Sequence, residues 1–139
     1  MQGIPRHETF EHGADIGIRG LGRSQSEAFV LAARAMFSLM AEDLERIPAE
    51  TEVQIEVSGF DSESLLLAWL NQLLAEADIN RVLFCKFQVE LSGHELRGTA
   101  AGSELGEMEP GVEVKAATYS EAAVFREGEA WVAQCVVDV

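Results

Sequence analysis

The stretch from Asp61 to Ala77 constrains the fold most. Leu66, Trp69, Leu70, Leu73, Leu74 and Ala77 recur at helical spacing and make an apolar stripe wide enough to require a broad apolar surface opposite it. Asp61 stands ahead of Ser62-Glu63-Ser64 as the natural N-cap, with an acid in the first turn where the helix dipole favours one. The helix is expected to stop near Asp78. An aromatic and leucine face at this spacing reads as core rather than as a ligand box.

The surface it packs on comes from the strands. Val53, Ile55 and Val57 alternate with Gln54, Glu56 and Ser58, and Cys85, Phe87, Val89 and Leu91 alternate with Lys86, Gln88 and Glu90, the period of a half-buried strand. The second run is expected over 82–91, opened by Asn80-Arg81 and closed by the hairpin signal Ser92-Gly93. Its return strand, 96–101, is small and partly polar, which suits an outer position. Shorter strands are expected at 6–11, at 16–21 ended by Gly22, at 112–118 around Lys115, and at 122–125. A turn at Arg126-Glu127-Gly128-Glu129 precedes the last strand, 131–137. The loop 102–111, with three glycines, three glutamates and a proline, reads as mobile. Ser24-Gln25-Ser26-Glu27 has the S-x-x-E form of a capping box, and Phe29, Ala33, Met36, Phe37 and Met40 follow at helical spacing, predicting a helix over 24–41. The pattern is α+β: two helices packed on one face of a mostly antiparallel sheet of about seven strands, a single domain over 1–139.

Charge and missing motifs narrow the function. Twenty-four acids against ten bases give a net charge of −14, a field that repels phosphate backbones, so no direct nucleic-acid binding is expected. No apolar run approaches a membrane span and the N-terminus lacks a secretory core, so a cytoplasmic location without membrane attachment is expected. Cys85 and Cys135 fall in strand patterns and read as reduced core residues. There is no P-loop, no G-x-S-x-G, no zinc-type spacing and no dinucleotide fingerprint, and Ser24 and Ser26 stand beside no evident base.

Two acids remain to be explained. His12-Gly13-Ala14-Asp15-Ile16-Gly17 crowds two glycines, a histidine and an aspartate between strands. On spacing alone it reads as a structural corner. Asp138 lies in Val136-Val137-Asp138-Val139, on the strand face of Val132, Gln134 and Val136 and next to the Val139 carboxylate. If the sheet brings that end beside Asp15, the negative groups require a cation or a proton, and oxygen-only ligation favours Ca²⁺, Mg²⁺ or Mn²⁺. A solvated acidic terminus is the alternative. Lys115 either reaches solvent or pairs with an acid near the cluster. Asp61 is accounted for by capping, and His12 either ligates or only braces a carboxylate, a lone histidine beside a turn being more often structural.

These blocks, taken in order, resemble the archease family: His12 to Gly17, Ser26-Glu27-Ala28-Phe29, Leu65 to Leu74, Val114-Lys115-Ala116-Ala117-Thr118-Tyr119, Trp131-Val132-Ala133 and Val137-Asp138-Val139. The resemblance implies a protein cofactor rather than an enzyme, one that activates an RtcB-type RNA ligase by promoting its guanylylation by GTP, so that the ligase turns over repeatedly in tRNA splicing and RNA repair. It also implies an acidic site for a divalent metal, Ca²⁺ foremost. In this chain that site is Asp15, Asp138 and the Val139 carboxylate, with His12, Asp61 and Lys115 as additional or supporting residues. The family usually has a histidine shortly before the lysine block and another just after its tyrosine; here Pro110-Gly111 and Ser120 occupy those regions. A metal-dependent hydrolase and a chaperone-like binding module are the competing readings.

Overall fold

The computed structural model describes residues 3–139. In chain order the elements are β1 (Arg6–His12), β2 (Asp15–Gly22), α1 (Gln25–Ser38), β3 (Thr51–Ser58), α2 (Ser62–Asn80), β4 (Leu83–Ser92), β5 (Glu95–Ser103), β6 (Ala116–Ala117), β7 (Ala123–Glu127) and β8 (Ala130–Asp138), with a 3-10 turn at Leu44–Arg46. The α+β class holds and every strand pair is antiparallel. The strands divide into two sheets rather than one. Five form a sheet in the order β1-β2-β8, with β6 and β7 sharing the far side of β8, and three form a sheet in the order β3-β5-β4.

Helix α1 starts where its cap predicts, with Ser24 Oγ accepting from the Glu27 N–H at 3.1 Å. The reciprocal half of the box is displaced by one residue, because Glu27 Oε1 accepts from the Arg23 N–H at 2.7 Å. The helix ends at Ser38 instead of continuing to Ala41: Leu39 and Met40 donate to Met36 and Phe37, the tightened turn that closes many helices. Asp61 caps α2 as expected, accepting from the Ser64 N–H at 2.8 Å. That helix runs past Asp78 to Asn80, and Arg81 caps it in the left-handed region at φ 57°. Asn80-Arg81 therefore ends a helix and does not open a strand.

Helix α1 lies on the five-stranded sheet and also touches β4, so one core joins both sheets. Trp69 of α2, fully buried, donates from Nε1 to the Phe29 carbonyl of α1 at 3.1 Å. Its ring meets Phe87 edge-on at 6.3 Å, a favoured aromatic geometry. A bulge at Cys85 in β4 lets Phe84 and Cys85 both face inward although they are consecutive. The return strand 96–101 does not sit at the edge: β5 is the central strand of its sheet. Its small residues serve close packing, since a Cβ on Gly102 would lie 1.8 Å from the Leu83 carbonyl oxygen. Both cysteines are free and buried, as expected. Burial pushes the Cys135 thiol up to about 12 and raises that of Cys85. Among the described residues, no helix is long and apolar enough to cross a membrane.

Candidate functional site at the end of the five-stranded sheet

The motif at 12–17 is the tip of the β1–β2 hairpin. His12 pairs with Asp15 across the two-residue turn Gly13-Ala14, and Gly13 takes φ 61°, the positive value required at the first central position of a II′ turn. Gly17 has a different task. The Phe10 ring lies on its Cα, so that an added Cβ would meet ring carbons at 2.2 Å, and the Arg19 guanidinium stacks over the same ring at 4.5 Å from its centroid. Both glycines are thus explained by backbone and packing. Asp15 is explained by neither.

Register brings Asp15 to its neighbours. Strands β2 and β8 pair as far as Ile16 with Val137, and one further step along that register sets Asp15 beside Asp138. Directly opposed residues of an antiparallel pair share a face, here the face turned away from α1. On its other side Asp138 pairs with Ala116 of β6, and the Lys115 N–H donates to the Asp138 carbonyl at 2.8 Å. Three neighbouring strands therefore gather Asp15, Asp138, Val139 and Lys115 at one sheet end. Asp15 is half-buried, Asp138 and Lys115 are exposed, and Val139 packs partly against the core. Lys115 lies just ahead of β6 rather than inside a strand, and the expected strand over 112–118 shrinks to Ala116–Ala117.

The sheet end supplies two carboxylate side chains. Among the described residues no three His, Cys, Asp or Glu side chains converge as a metal cluster, so His12, although opposite Asp15 in register, does not complete one. Asp61 is committed to its cap on α2. The donor set at the corner is oxygen alone, the chemistry of a hard divalent ion that keeps several waters. A depression of about 630 Å³ opens beside it, its lining including Phe10, Glu11, Gly13, Asp15, Ile16 and Leu39.

Two residues that position the corner were not apparent from the sequence. The Asn71 side chain of α2 imitates a strand: its Nδ2 donates to the Ala117 carbonyl at 3.1 Å and its Oδ1 accepts from the Ala117 N–H at 2.9 Å. This clamp holds β6, and with it Lys115, against β8. Glu63 Oε2 accepts from the Val124 N–H at 2.9 Å and anchors the start of β7. The only sequence signal was a polar Asn-Gln pair interrupting the leucines of α2.

His7, also unremarked in the sequence, lies on β1 near the start of the chain. Burial, and then the Arg34 guanidinium, lower its pKa, with Glu45 opposing them. Arg34 itself donates to the Cys85 carbonyl at 2.7 Å and pairs with Glu45. A base whose pKa is lowered on folding is stabilising above its ordinary value of 6.5, and that contribution is lost as pH falls below it, because the unfolded chain takes up the proton first. The melting temperature is therefore expected to fall between pH 7 and pH 5 by more in the native chain than in His7→Gln. Parallel melting curves across that window would exclude the coupling.

Fold and site together define a small acidic α+β protein with paired carboxylates and a lysine at one end of an antiparallel sheet. The Archease protein family (MTH1598/TM1083) matches residues 7–139. The protein archease of Sulfolobus acidocaldarius is 40% identical over 98% of this chain and 100% of its own length, and that of Pyrococcus furiosus 40% identical over 95% and 97%. The solution structure of Methanobacterium thermoautotrophicum protein 1598 superposes with a TM-score of 0.82 at 32% identity, covering 98% of this chain and all of that one. A crystal structure from Thermotoga maritima, described as an archease and possible chaperone, shares the fold with a TM-score of 0.65 at 23% identity. The chain belongs to the archease family.

Proposed function

We propose that this protein is a non-catalytic activator of an RtcB-type RNA ligase, promoting its guanylylation by GTP and so its multiple turnover in tRNA splicing and RNA repair. Family membership over nearly the whole chain supports the reading, and the position of Asp15 and Asp138 as the next residues beyond the last β2–β8 pair, Ile16 with Val137, carries its chemistry. Asp15 and Asp138, with the Val139 carboxylate, would hold a divalent cation, Ca²⁺ foremost and Mg²⁺ or Mn²⁺ next, which supplies positive charge for phosphate oxygens. Lys115, held at the same corner through its backbone bond to Asp138, adds a mobile cation of its own. The net charge of −14 suits docking beside a basic RNA-binding surface and disfavours competing for the RNA itself.

Like charges directly opposed across a strand pair repel. Asp15→Asn and Asp138→Asn are therefore expected to leave the metal-free melting temperature unchanged or slightly raised, to abolish Ca²⁺ binding in calorimetry, and to return multiple-turnover ligation to the ligase-alone rate. Variants that bind the ion and stimulate the ligase like the native chain would refute the proposal. The description of the Thermotoga protein as a possible chaperone favours a second reading, a binding module that needs no metal. Stimulation that persists in both variants under complete chelation would select it.

A further inference from the structure

A second feature lies apart from the acid corner. The last two turns of α2 and the segment 105–114 face each other across an open groove of about 430 Å³, whose floor and walls include Met40, Leu74, Val82, Leu83, Leu105 and Val112. Val112, in the far wall, is 40% exposed. Apolar side chains gathered in a trough open to solvent mark an interaction surface more often than scattered ones do. The far wall is fixed to the body of the protein: the Gly111 and Val112 N–H groups donate to the Met40 and Leu39 carbonyls at 3.0 and 2.6 Å, and Glu42 N–H donates to the Glu109 carbonyl at 3.3 Å. Gly111 is required there, since a Cβ would lie 2.1 Å from the Leu39 carbonyl oxygen.

The rim decides what the groove can take. The charged residues that line it are Glu113 on the far wall and Asp78 and Arg81 on the α2 side, and the segment that supplies the far wall also carries Glu104, Glu107 and Glu109, all exposed, with no basic residue. Small-ligand sites set a few polar groups inside an apolar pocket. Here the charged lining residues are two carboxylates and one guanidinium, and the further charges of the wall segment are all carboxylates. An apolar trough between acidic borders complements an amphipathic helix whose apolar face enters the trough while lysines or arginines flank it. A second copy of this chain, with 24 acids to 10 bases, is the wrong sign for that rim, and so is an anionic lipid surface.

We infer that the groove between α2 and segment 105–114 is a docking site for a basic amphipathic helix of a protein partner. This requires neither a metal at the sheet end nor the ligase reading.

The test titrates ¹⁵N-labelled protein at low salt with a designed helix bearing leucines on one face and lysines on the other, and with a twin in which every lysine is glutamate. Amide shifts are expected to concentrate at Leu74, Val82, Leu83 and Val112, and the lysine helix should bind at least about tenfold more tightly than its twin. Val112→Asp, at an exposed position, and the triple variant Glu104→Gln, Glu107→Gln, Glu113→Gln should each weaken the lysine helix by about tenfold while their spectra elsewhere stay unchanged. Shifts scattered over the polar face of the three-stranded sheet, equal binding of the glutamate twin, or full affinity in the triple variant would each overturn the inference. So would dimerisation of the triple variant through these residues, which would make a second copy the natural occupant.

Discussion

Replacing Gly20 by alanine should destabilise the protein by about 3 kcal/mol or more, at the upper end of what overpacking costs. Gly20 lies in the middle of β2, paired with His7 and Ala133, and α1 rests directly on it. A Cβ there would stand 2.3 Å from the Ala28 carbonyl oxygen and 2.4 Å from the Ala32 nitrogen. Both are helix backbone, which has no rotamer to change, so the helix as a whole must lift. Lifting it opens the interior packing of Phe29, Met36 and Phe37, all fully buried, and a gap of a fraction of an ångström already forfeits much of their dispersion energy. Two other glycines of the β1–β2 hairpin provide the scale. Gly17→Ala meets the Phe10 ring, which can swing away and lose its stack with Arg19. Gly13→Ala meets nothing within 4 Å and faces only its positive φ, worth about 1–2 kcal/mol. Urea denaturation should rank the losses Gly20, Gly17, Gly13, and a Gly20→Ala midpoint close to that of the native chain would show that α1 does not sit where this packing requires. The lifted helix would also disturb the acid corner, because Leu39 at its end lines the depression beside Asp15.

That same glycine marks the limit of what the sequence could reveal. Gly22 reads as a strand breaker, yet it belongs to β2 with Gly20; both are small because a helix crosses them. Short-range patterns were legible because their causes are short-range: the alternation at Val53, Ile55 and Val57, and the caps at Ser24 and Asp61, each follow from neighbours a few residues away. The division into two sheets was not, since it depends on β8 pairing with β2 from the opposite end of the chain, and no local period records a partner. The central position of β5 is hidden for a related reason. Small residues suit an exposed edge and a crowded centre equally, and only the approach of Leu83 and Trp69 to Gly102 and Gly98 distinguishes them. At the site, Asp15 and Asp138 stood out as acids in apolar strands, but their adjacency is a matter of register. The Asn71 clamp was invisible, because an amide that replaces a strand partner has no spacing to betray it.

Trp69 is the side chain whose loss should cost most in the core. It is fully buried, it meets Phe87 edge-on, and its six-membered ring occupies the space that the missing side chain of Gly98 leaves, with an imagined Cβ there 3.0 Å from Cζ3. Its indole N–H ties α2 to the Phe29 carbonyl of α1. Trp69→Ala is expected to lose about 3–5 kcal/mol, transfer and cavity together. Trp69→Phe keeps most of the apolar volume and removes the tie. Phe29 lies within α1, where the backbone ladder supplies carbonyls with partners, so that substitution should cost nearer about 1–2 kcal/mol. The difference has a consequence at the sheet end. Asn71 follows Trp69 by two residues and holds Ala117 with both of its amide atoms, so slack at Trp69 is transmitted to β6 and then to Lys115 and the Asp138 backbone. Amide exchange at Ala117 and Lys115 should accelerate in Trp69→Ala under conditions where the variant is still folded, and remain near the native rate in Trp69→Phe. Equal protection in all three proteins would mean that β6 is held by β8 alone and that the clamp from α2 has no part in shaping the corner.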